Sequence, residues 1–147
     1  MHKPLLISAI LFLSLAMALV STRAEYPAAK VVYDISSADA AGMDHLLDRV
    51  SLLQNLYDND AFEASIVLVI HEGAIALFAN GNENTIRLRQ RAYSLTAAEI
   101  IEFRICAASA RMQGFEEGDL PDFVRMVPMA DGEIVMLQNA GYAYIRE

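Results

Sequence analysis

The chain has 147 residues, a formal net charge of −8 and a hydrophobic fraction of 55%. This length suffices for one domain with a real core, and the acidic balance disfavours nucleic acid and anionic lipid as partners. The single cysteine excludes an internal disulfide, so stability must come from the core, and association between subunits is a further possible source.

The first 24 residues have the pattern of a secretory signal peptide. A short positive start precedes an apolar run over residues 5–20, and small residues up to Ala24 offer a cleavage site. The run is shorter than the roughly 20 residues of a spanning helix, although an uncleaved membrane anchor stays open as an alternative. We therefore expect residues 1–24 to be a signal peptide and residues 25–147 to be a single periplasmic domain that leaves the membrane after cleavage.

The first two elements of this domain are a strand and a helix. Residues 30–36 have the composition of a strand, and the polar loop after it offers Ser37 or Asp39 as a helix cap. Apolar residues then recur at steps of three and four, which predicts an amphipathic helix with Gln54 and Asp44 on its polar side. The apolar stripe consists of Met43, Leu46, Leu47, Val50, Leu53 and Leu56.

A continuous aliphatic run over residues 65–70 predicts a strand that is buried on both faces of a parallel sheet. Residues 71–73 form the turn after it, and residues 74–79 are predicted to form a short apolar helix. Residues 85–93 are predicted to form a further helix, although their alternating polarity also suits a strand.

The only cysteine lies between a predicted strand and a predicted helix. Residues 101–105 alternate apolar and charged side chains, residues 107–113 are good helix formers, and Gly114 is placed to end that helix. Glu102 and Arg104 lie on one side of the strand. This polar side indicates a strand near the sheet edge, or one that contacts another subunit.

The last third of the chain continues the alternation. Residues 123–127 are predicted to form a strand that Pro128 ends, residues 130–139 a helix, and residues 142–145 a last short strand. Strands that alternate with helices indicate a mostly parallel, three-layer α/β domain with helices on both faces of the sheet.

Cys106 is the first candidate for chemistry. It follows a strand, where open α/β sheets bind ligands, and it precedes a helix, whose N-terminus lowers the pKa of a thiol. The alternative is a buried and inert cysteine. His71 also follows a strand, so its imidazole could reach the thiol if the two strands are neighbours; otherwise it only caps its turn.

Other chemistries have little support. Arg104 and Arg111 could pair with an anionic sulfur substrate, but solvated surface positions are expected for both. Neither a zinc spacing nor a nucleotide motif occurs, so no metal and no cofactor is predicted. A soft-metal cluster of methionines is a third alternative, against which core packing is expected. These methionines are Met126, Met129 and Met136.

Four segments resemble the DsrE/DsrF-like family: KVVYDIS, SIVLVIHEGAIALF, FRICAASARMQGF and VPMADGEIVMLQNAGYAYI. The likeness covers most of the chain, keeps the order of the elements and is greatest for a small exported branch. It implies a three-layer α/β sandwich around a mainly parallel, five-stranded sheet. It also implies assembly into homo-oligomers such as trimers or hexamers.

The resemblance also bears on the site. Better-known members of the family are cytoplasmic sulfur-relay proteins, in which a cysteine carries sulfur as a persulfide and passes it to a partner. Cys106 matches that cysteine. His71 matches a His-Gly turn of the exported branch, and Glu72 is a departure from the usual spacing to glycine.

Two function hypotheses follow from this resemblance. The first is an envelope sulfur carrier or sulfurtransferase-like protein, with Cys106 and His71 at its catalytic site and a sulfur donor or acceptor protein as partner. The second is a non-catalytic, homo-oligomeric module that binds a small ligand or a partner at the carboxyl edge of the sheet. The residues expected to line that second site are Ser36, Ser37, His71 and Cys106.

Overall fold

The computed structural model describes residues 26–147, and the predicted signal peptide lies outside them. The strands are β1 (Ala29–Ile35), β2 (Ala64–Ile70), β3 (Ile101–Cys106), β4 (Val124–Val127) and β5 (Ala143–Arg146). The α-helices are α1 (Ala40–Leu56), α2 (Ile86–Leu95), α3 (Ala107–Met112) and α4 (Ala130–Asn139). Short 3₁₀ helices lie in the connections: Glu72–Leu77, Glu83–Thr85, Thr96–Ala98 and Glu117–Asp119.

The five strands form one sheet in the order β4-β3-β2-β1-β5, and all neighbouring strands are parallel. The predicted parallel α/β sheet is therefore confirmed. β3 lies next to the edge strand β4, as its polar side chains indicated. The order also makes β2 and β3 neighbours, which brings their carboxyl ends together at one edge.

Helices cover both faces of the sheet, as predicted for a three-layer sandwich. The larger core lies between one face and the helices α1, α2 and α3. The other face, here called the α4 face, packs against α4 through Val32, Val67, Val69 and Cys106. Successive strand residues point to opposite faces, so both faces of the aliphatic strand β2 are buried.

Several local predictions are confirmed. Asp39 caps α1, since its side chain accepts a hydrogen bond from the Ala41 N–H over 3.0 Å. The segment with alternating polarity is the helix α2. The short apolar helix is a 3₁₀ helix that begins at Glu72, two residues earlier than expected. Among residues 26–147, no helix is long and apolar enough to cross a membrane.

The prediction for Gln54 is wrong. Gln54 is buried at 6% exposure, and its amide donates a hydrogen bond to the Leu95 carbonyl at 3.5 Å, whereas Leu56 is 40% exposed. Gln54 follows the buried Val50 by four residues, which is close to one helical turn of 3.6 residues, so both lie on the buried side of α1. Leu56 follows Val50 by six residues and lies on another side. The contact with the end of α2 satisfies the buried amide.

The expectation of core packing holds for only one of the three methionines. Met126 packs against the larger core. Met129 and Met136 are 53% and 51% exposed, so the prediction that they pack in the core is wrong. The reason is that Met129 lies before the first residue of α4 and Met136 lies on its outer side.

Candidate functional site

Cys106 is both the last residue of β3 and the N-cap of α3. Its side chain lies on the α4 face beside Val67 and Val69, and the residue is only 3% exposed. A buried cysteine was one of the two alternatives from the sequence. The hydrogen bonds of its sulfur distinguish it from an inert core residue.

The sulfur of Cys106 accepts hydrogen bonds from two backbone N–H groups. One comes from Ser109 in the first turn of α3, at 3.4 Å, and the other comes from Ala130 at the start of α4, at 3.3 Å. Two helices that are separate in sequence therefore direct donors at the same sulfur. Such donors favour the anionic form of the group that accepts them.

This geometry changes the acidity of the thiol. Burial favours the neutral thiol and raises its pKa. The hydrogen bonds to the sulfur, chiefly those from the Ser109 and Ala130 N–H groups and then the one from the Ser109 side chain, together outweigh burial. The pKa of Cys106 therefore lies below its ordinary value, in the direction that its position before a helix predicted. A thiolate is the reactive form of cysteine, so the site favours a nucleophile.

Arg104 is not the solvated arginine that was expected. It is 6% exposed, and its guanidinium pairs with Glu133 of α4 and with Glu102, the latter at 2.7 Å. The alternation of β3 places Arg104 on the α4 face, where the first turn of α4 covers it. The same turn carries Ala130. The ion pair therefore holds in place the Ala130 N–H that donates to the cysteine sulfur. Arg111 is exposed, as expected.

His71 continues the ladder of β2 by one residue, because its N–H donates to the Ile35 carbonyl over 2.9 Å. Its Nε2 atom lies 2.6 Å from Asp34 Oδ1, and its Nδ1 atom lies 3.9 Å from Glu72 Oε1. Its side chain makes no capping hydrogen bond to the following 3₁₀ helix, so the turn-capping interpretation is wrong. The hydrogen bonds of the Cys106 sulfur come from backbone groups and from the Ser109 side chain, and not from this imidazole.

The register of the sheet nevertheless places His71 and Cys106 at the ends of adjacent strands. Ile70 of β2 pairs with Ile105 of β3, so the next residue of each strand occupies the same level at the carboxyl edge. Both side chains also point to the α4 face, since they alternate with Ile70 and Ile105 of the larger core. Their joint role in catalysis stays a prediction.

Asp34 is a site residue that the sequence interpretation missed. It lies on β1, its side chain is 15% exposed, and its carboxylate accepts hydrogen bonds from His71 and from the Tyr144 hydroxyl. The bond to Asp34 raises the pKa of Tyr144. A sequence signal existed, because Asp34 is an acidic residue within an apolar strand, two positions from the buried Val32.

The residues of the alternative binding site are divided between the two sides of the sheet. Ser37 lies in a cavity of about 190 Å³ on the α1 side, together with Asp39 and Met43, whereas Cys106 faces α4. The Ser36 carbonyl accepts the Ala74 N–H over 3.2 Å, within the turn after β2. In the part of the chain that the structure describes, no group of three or more His, Cys, Asp or Glu side chains is arranged to hold a metal ion.

Comparison with known proteins supports the interpretation of the fold. The model of the DsrE/DsrF-like family matches residues 17–146. MTH1491 from Methanobacterium thermoautotrophicum, a protein of unknown function, has a similar solved structure, with a TM-score of 0.64 and 25% sequence identity. The similarity covers 81% of this chain and 99% of MTH1491. No curated protein matches the chain. The match over nearly the whole described domain shows that the chain belongs to the DsrE/DsrF-like family.

Proposed function

We propose that the chain is a sulfur carrier, or a sulfurtransferase-like protein, that holds a persulfide on Cys106. The observation that carries this proposal is the pair of hydrogen bonds from Ser109 and Ala130 to the sulfur at the carboxyl edge of the sheet. These donors favour a thiolate, because an anionic sulfur accepts hydrogen bonds far more strongly than a neutral thiol does.

The chemistry needs one thiolate and no cofactor. The Cys106 thiolate attacks the outer, sulfane sulfur of a donor such as thiosulfate, the bond between the two donor sulfurs breaks, and sulfite leaves. The product is a persulfide anion on Cys106, with the negative charge of the thiolate now on the added sulfur. A partner thiolate then attacks that sulfur, takes it and restores the Cys106 thiolate.

We further propose that this carrier works in the cell envelope after export. Exported thiols meet oxidants, and the rate of oxidation follows exposure and thiolate character. Cys106 is 3% exposed, which supports survival of the free thiol there. An N-terminal mass of the exported protein that begins after Ala24 would support this location, whereas an intact leader on a cytoplasmic protein would contradict it.

We also propose a homo-oligomer, of which a trimer or a hexamer fits the family resemblance. The outer side of α4 supports contact between subunits, because Val135 and Met136 are 56% and 51% exposed there. Light scattering of the mature domain should give three or six times the subunit mass. A monomer at all concentrations would contradict this proposal.

Cyanide-labile sulfur measures the proposed activity directly. The mature protein is incubated with thiosulfate or polysulfide, freed of excess reagent and treated with cyanide, which removes sulfane sulfur as thiocyanate. The wild-type protein should release about one equivalent and Cys106→Ser none, with the same circular dichroism spectrum for both. Equal release from both proteins would exclude Cys106 as the carrier.

The alternative of a non-catalytic binding module has one observation in its favour, the cavity beside Ser37 and Asp39. It predicts a Cys106 thiol that resists alkylation in the folded protein and takes up no sulfur. The same incubation therefore separates the two functions.

A further inference from the structure

His71 lies between two carboxylates at the carboxyl edge of the sheet. Asp34 Oδ1 is 2.6 Å from its Nε2 atom, and Glu72 Oε1 is 3.9 Å from its Nδ1 atom. The imidazole and the Asp34 side chain are largely buried, at 17% and 15% exposure, whereas the Glu72 side chain is 69% exposed. The third titratable group of this cluster, Tyr144, reaches it only through Asp34.

The contact with Asp34 defines the tautomer of His71. An ionised carboxylate accepts hydrogen bonds and donates none, so the proton of the neutral ring must be on Nε2. The lone pair is then on Nδ1, which has no hydrogen-bond partner among the described residues. Nδ1 is therefore the atom at which His71 gains or loses a proton, and a second carboxylate lies beside it.

Glu72 occupies its place at a conformational cost. Its φ angle is +48°, in the left-handed region that favours glycine. The Glu72 carbonyl is held there by a 2.7 Å hydrogen bond from the Gln113 side chain. Non-glycine residues in this region persist where the surroundings impose it, and they cluster at functional sites.

Cys106, the residue proposed to carry sulfur, lies at the end of the neighbouring strand β3. His71 and Cys106 follow the paired residues Ile70 and Ile105, and both side chains point to the α4 face. Neighbouring strands are about 4.8 Å apart, so the two side chains start from adjacent backbone positions.

We propose that His71, oriented by Asp34 and flanked by Glu72, holds the proton that Cys106 releases during sulfur loading and returns it to the departing thiolate. Asp34 and Glu72 are positioning residues, since both act through His71. This inference rests on the proposed function of Cys106 as a persulfide carrier.

The step balances with an organic persulfide as donor. The thiol proton of Cys106 moves to His71 Nδ1, which gives a thiolate and an imidazolium. The thiolate attacks the outer sulfur of R–S–SH, the sulfur–sulfur bond of the donor breaks, and R–S⁻ leaves. The imidazolium gives its proton to R–S⁻, so the products are Cys106–S–SH and R–SH. The two carboxylates lie beside the imidazolium that exists between these proton transfers.

The test compares the rate of sulfur loading from glutathione persulfide in variants of this cluster. A general acid and base typically contributes a factor of about 100 or more, so His71→Ala should load about 100 times more slowly. Asp34→Asn should lose about tenfold or more, and Glu72→Gln should lose severalfold. Nitrogen NMR of labelled histidine should show the Nε2–H tautomer of His71 in the wild-type protein and a changed tautomer population in Asp34→Asn.

Glu99 provides the matched control. It is also an exposed glutamate in the left-handed region, with φ of +60°, but it precedes β3 at the opposite edge of the sheet. Both Glu72→Gly and Glu99→Gly relieve backbone strain, so neither should lower the melting temperature. Only Glu72→Gly should slow loading.

Three results would overturn the inference. They are equal loading rates for wild type, Asp34→Asn and Glu72→Gln; equal slowing by Glu72→Gly and Glu99→Gly; or an Nδ1–H tautomer in the wild-type protein. Failure of the proposed carrier function would give a different result. The wild-type protein itself would then take up no sulfur, whereas NMR would still show the Nε2–H tautomer of His71. If Asp34→Asn does not fold, the exposed Glu72 still decides the question.

Discussion

The backbone N–H of Ala130 donates a hydrogen bond to the sulfur of Cys106 over 3.3 Å, although the two residues are 24 positions apart. The contact exists because β3 and β4 are neighbours and α4 begins directly beyond β4 at the carboxyl edge. The buried pair of Arg104 and Glu133 holds the first turn of α4 on the sheet. The acidity of one cysteine therefore depends on how α4 is attached.

The rate of alkylation of Cys106 should report this acidity. Because Ser109 and Ala130 stabilise the thiolate, the midpoint of the pH profile should lie below the midpoint for the same cysteine in the urea-unfolded protein. The measurement is the second-order rate with iodoacetamide across pH, since the midpoint reflects the pKa and the plateau reflects access. A midpoint at or above that of the unfolded protein would show that burial outweighs the donors.

The stability of the fold should depend on pH through the same group. The pKa of Cys106 is lowered in the folded protein, so its contribution to the free energy of unfolding is complete above the pKa of the unfolded thiol. The contribution is lost as pH falls through the folded pKa. In urea unfolding, the stability of the wild type relative to Cys106→Ser should increase as pH rises from the folded pKa to the higher, unfolded pKa of the thiol. A difference that is constant with pH would contradict the expectation.

Removal of the charge at Glu133 should be costly. Glu133→Gln leaves the buried guanidinium of Arg104 with Glu102 as its remaining carboxylate, so we expect a loss of about 3 kcal/mol in the free energy of unfolding. The matched control is Glu102→Gln, whose side chain is 48% exposed and whose removal should cost less than about 1 kcal/mol. Arg125, the other partner of Glu133, is 58% exposed, so water solvates its guanidinium after the substitution and its lost contact adds little to the cost. Equal effects of the two substitutions in urea unfolding would argue against an anchoring role for Glu133.

The turn that carries His71 should be sensitive to a single added methyl group. A Cβ atom at Gly73 would lie 3.1 Å from Ala38 Cβ and 3.5 Å from the Ser36 carbonyl oxygen. Gly73→Ala should therefore cost about 1–3 kcal/mol by overpacking. The control Gly81→Ala meets no atom within 4 Å and should change stability by about 0.5 kcal/mol or less. Thermal unfolding of the two variants measures this difference directly.

The sequence predicts the fold well because local patterns determine most elements. The aliphatic run of β2, the spacing of apolar residues in α1 and the glycines after α3 and α4 each act within a few residues. Gly114 and Gly141 indeed adopt positive φ angles of 81° and 89° past those helices. The position of Cys106 between a strand and a helix follows from the same local signals.

The electrostatics of the site depend on contacts between distant residues. The order of the strands decides that α4, and not another helix, covers Cys106 and Arg104. Burial of Arg104 and the donor at Ala130 both follow from that order, and neither has a local sequence signal. Asp34 is different, because an acidic residue within an apolar strand is itself a signal that a partner is close.

The most direct test of the central claim is the intact mass of the mature protein after incubation with polysulfide. The account predicts a gain of about one sulfur atom, located on the peptide that contains Cys106 and removed by cyanide. An unchanged mass, with Cys106 also unreactive toward iodoacetamide across the pH range, would contradict the account. In that case the hydrogen bonds from Ser109 and Ala130 would serve only the packing of α3 and α4.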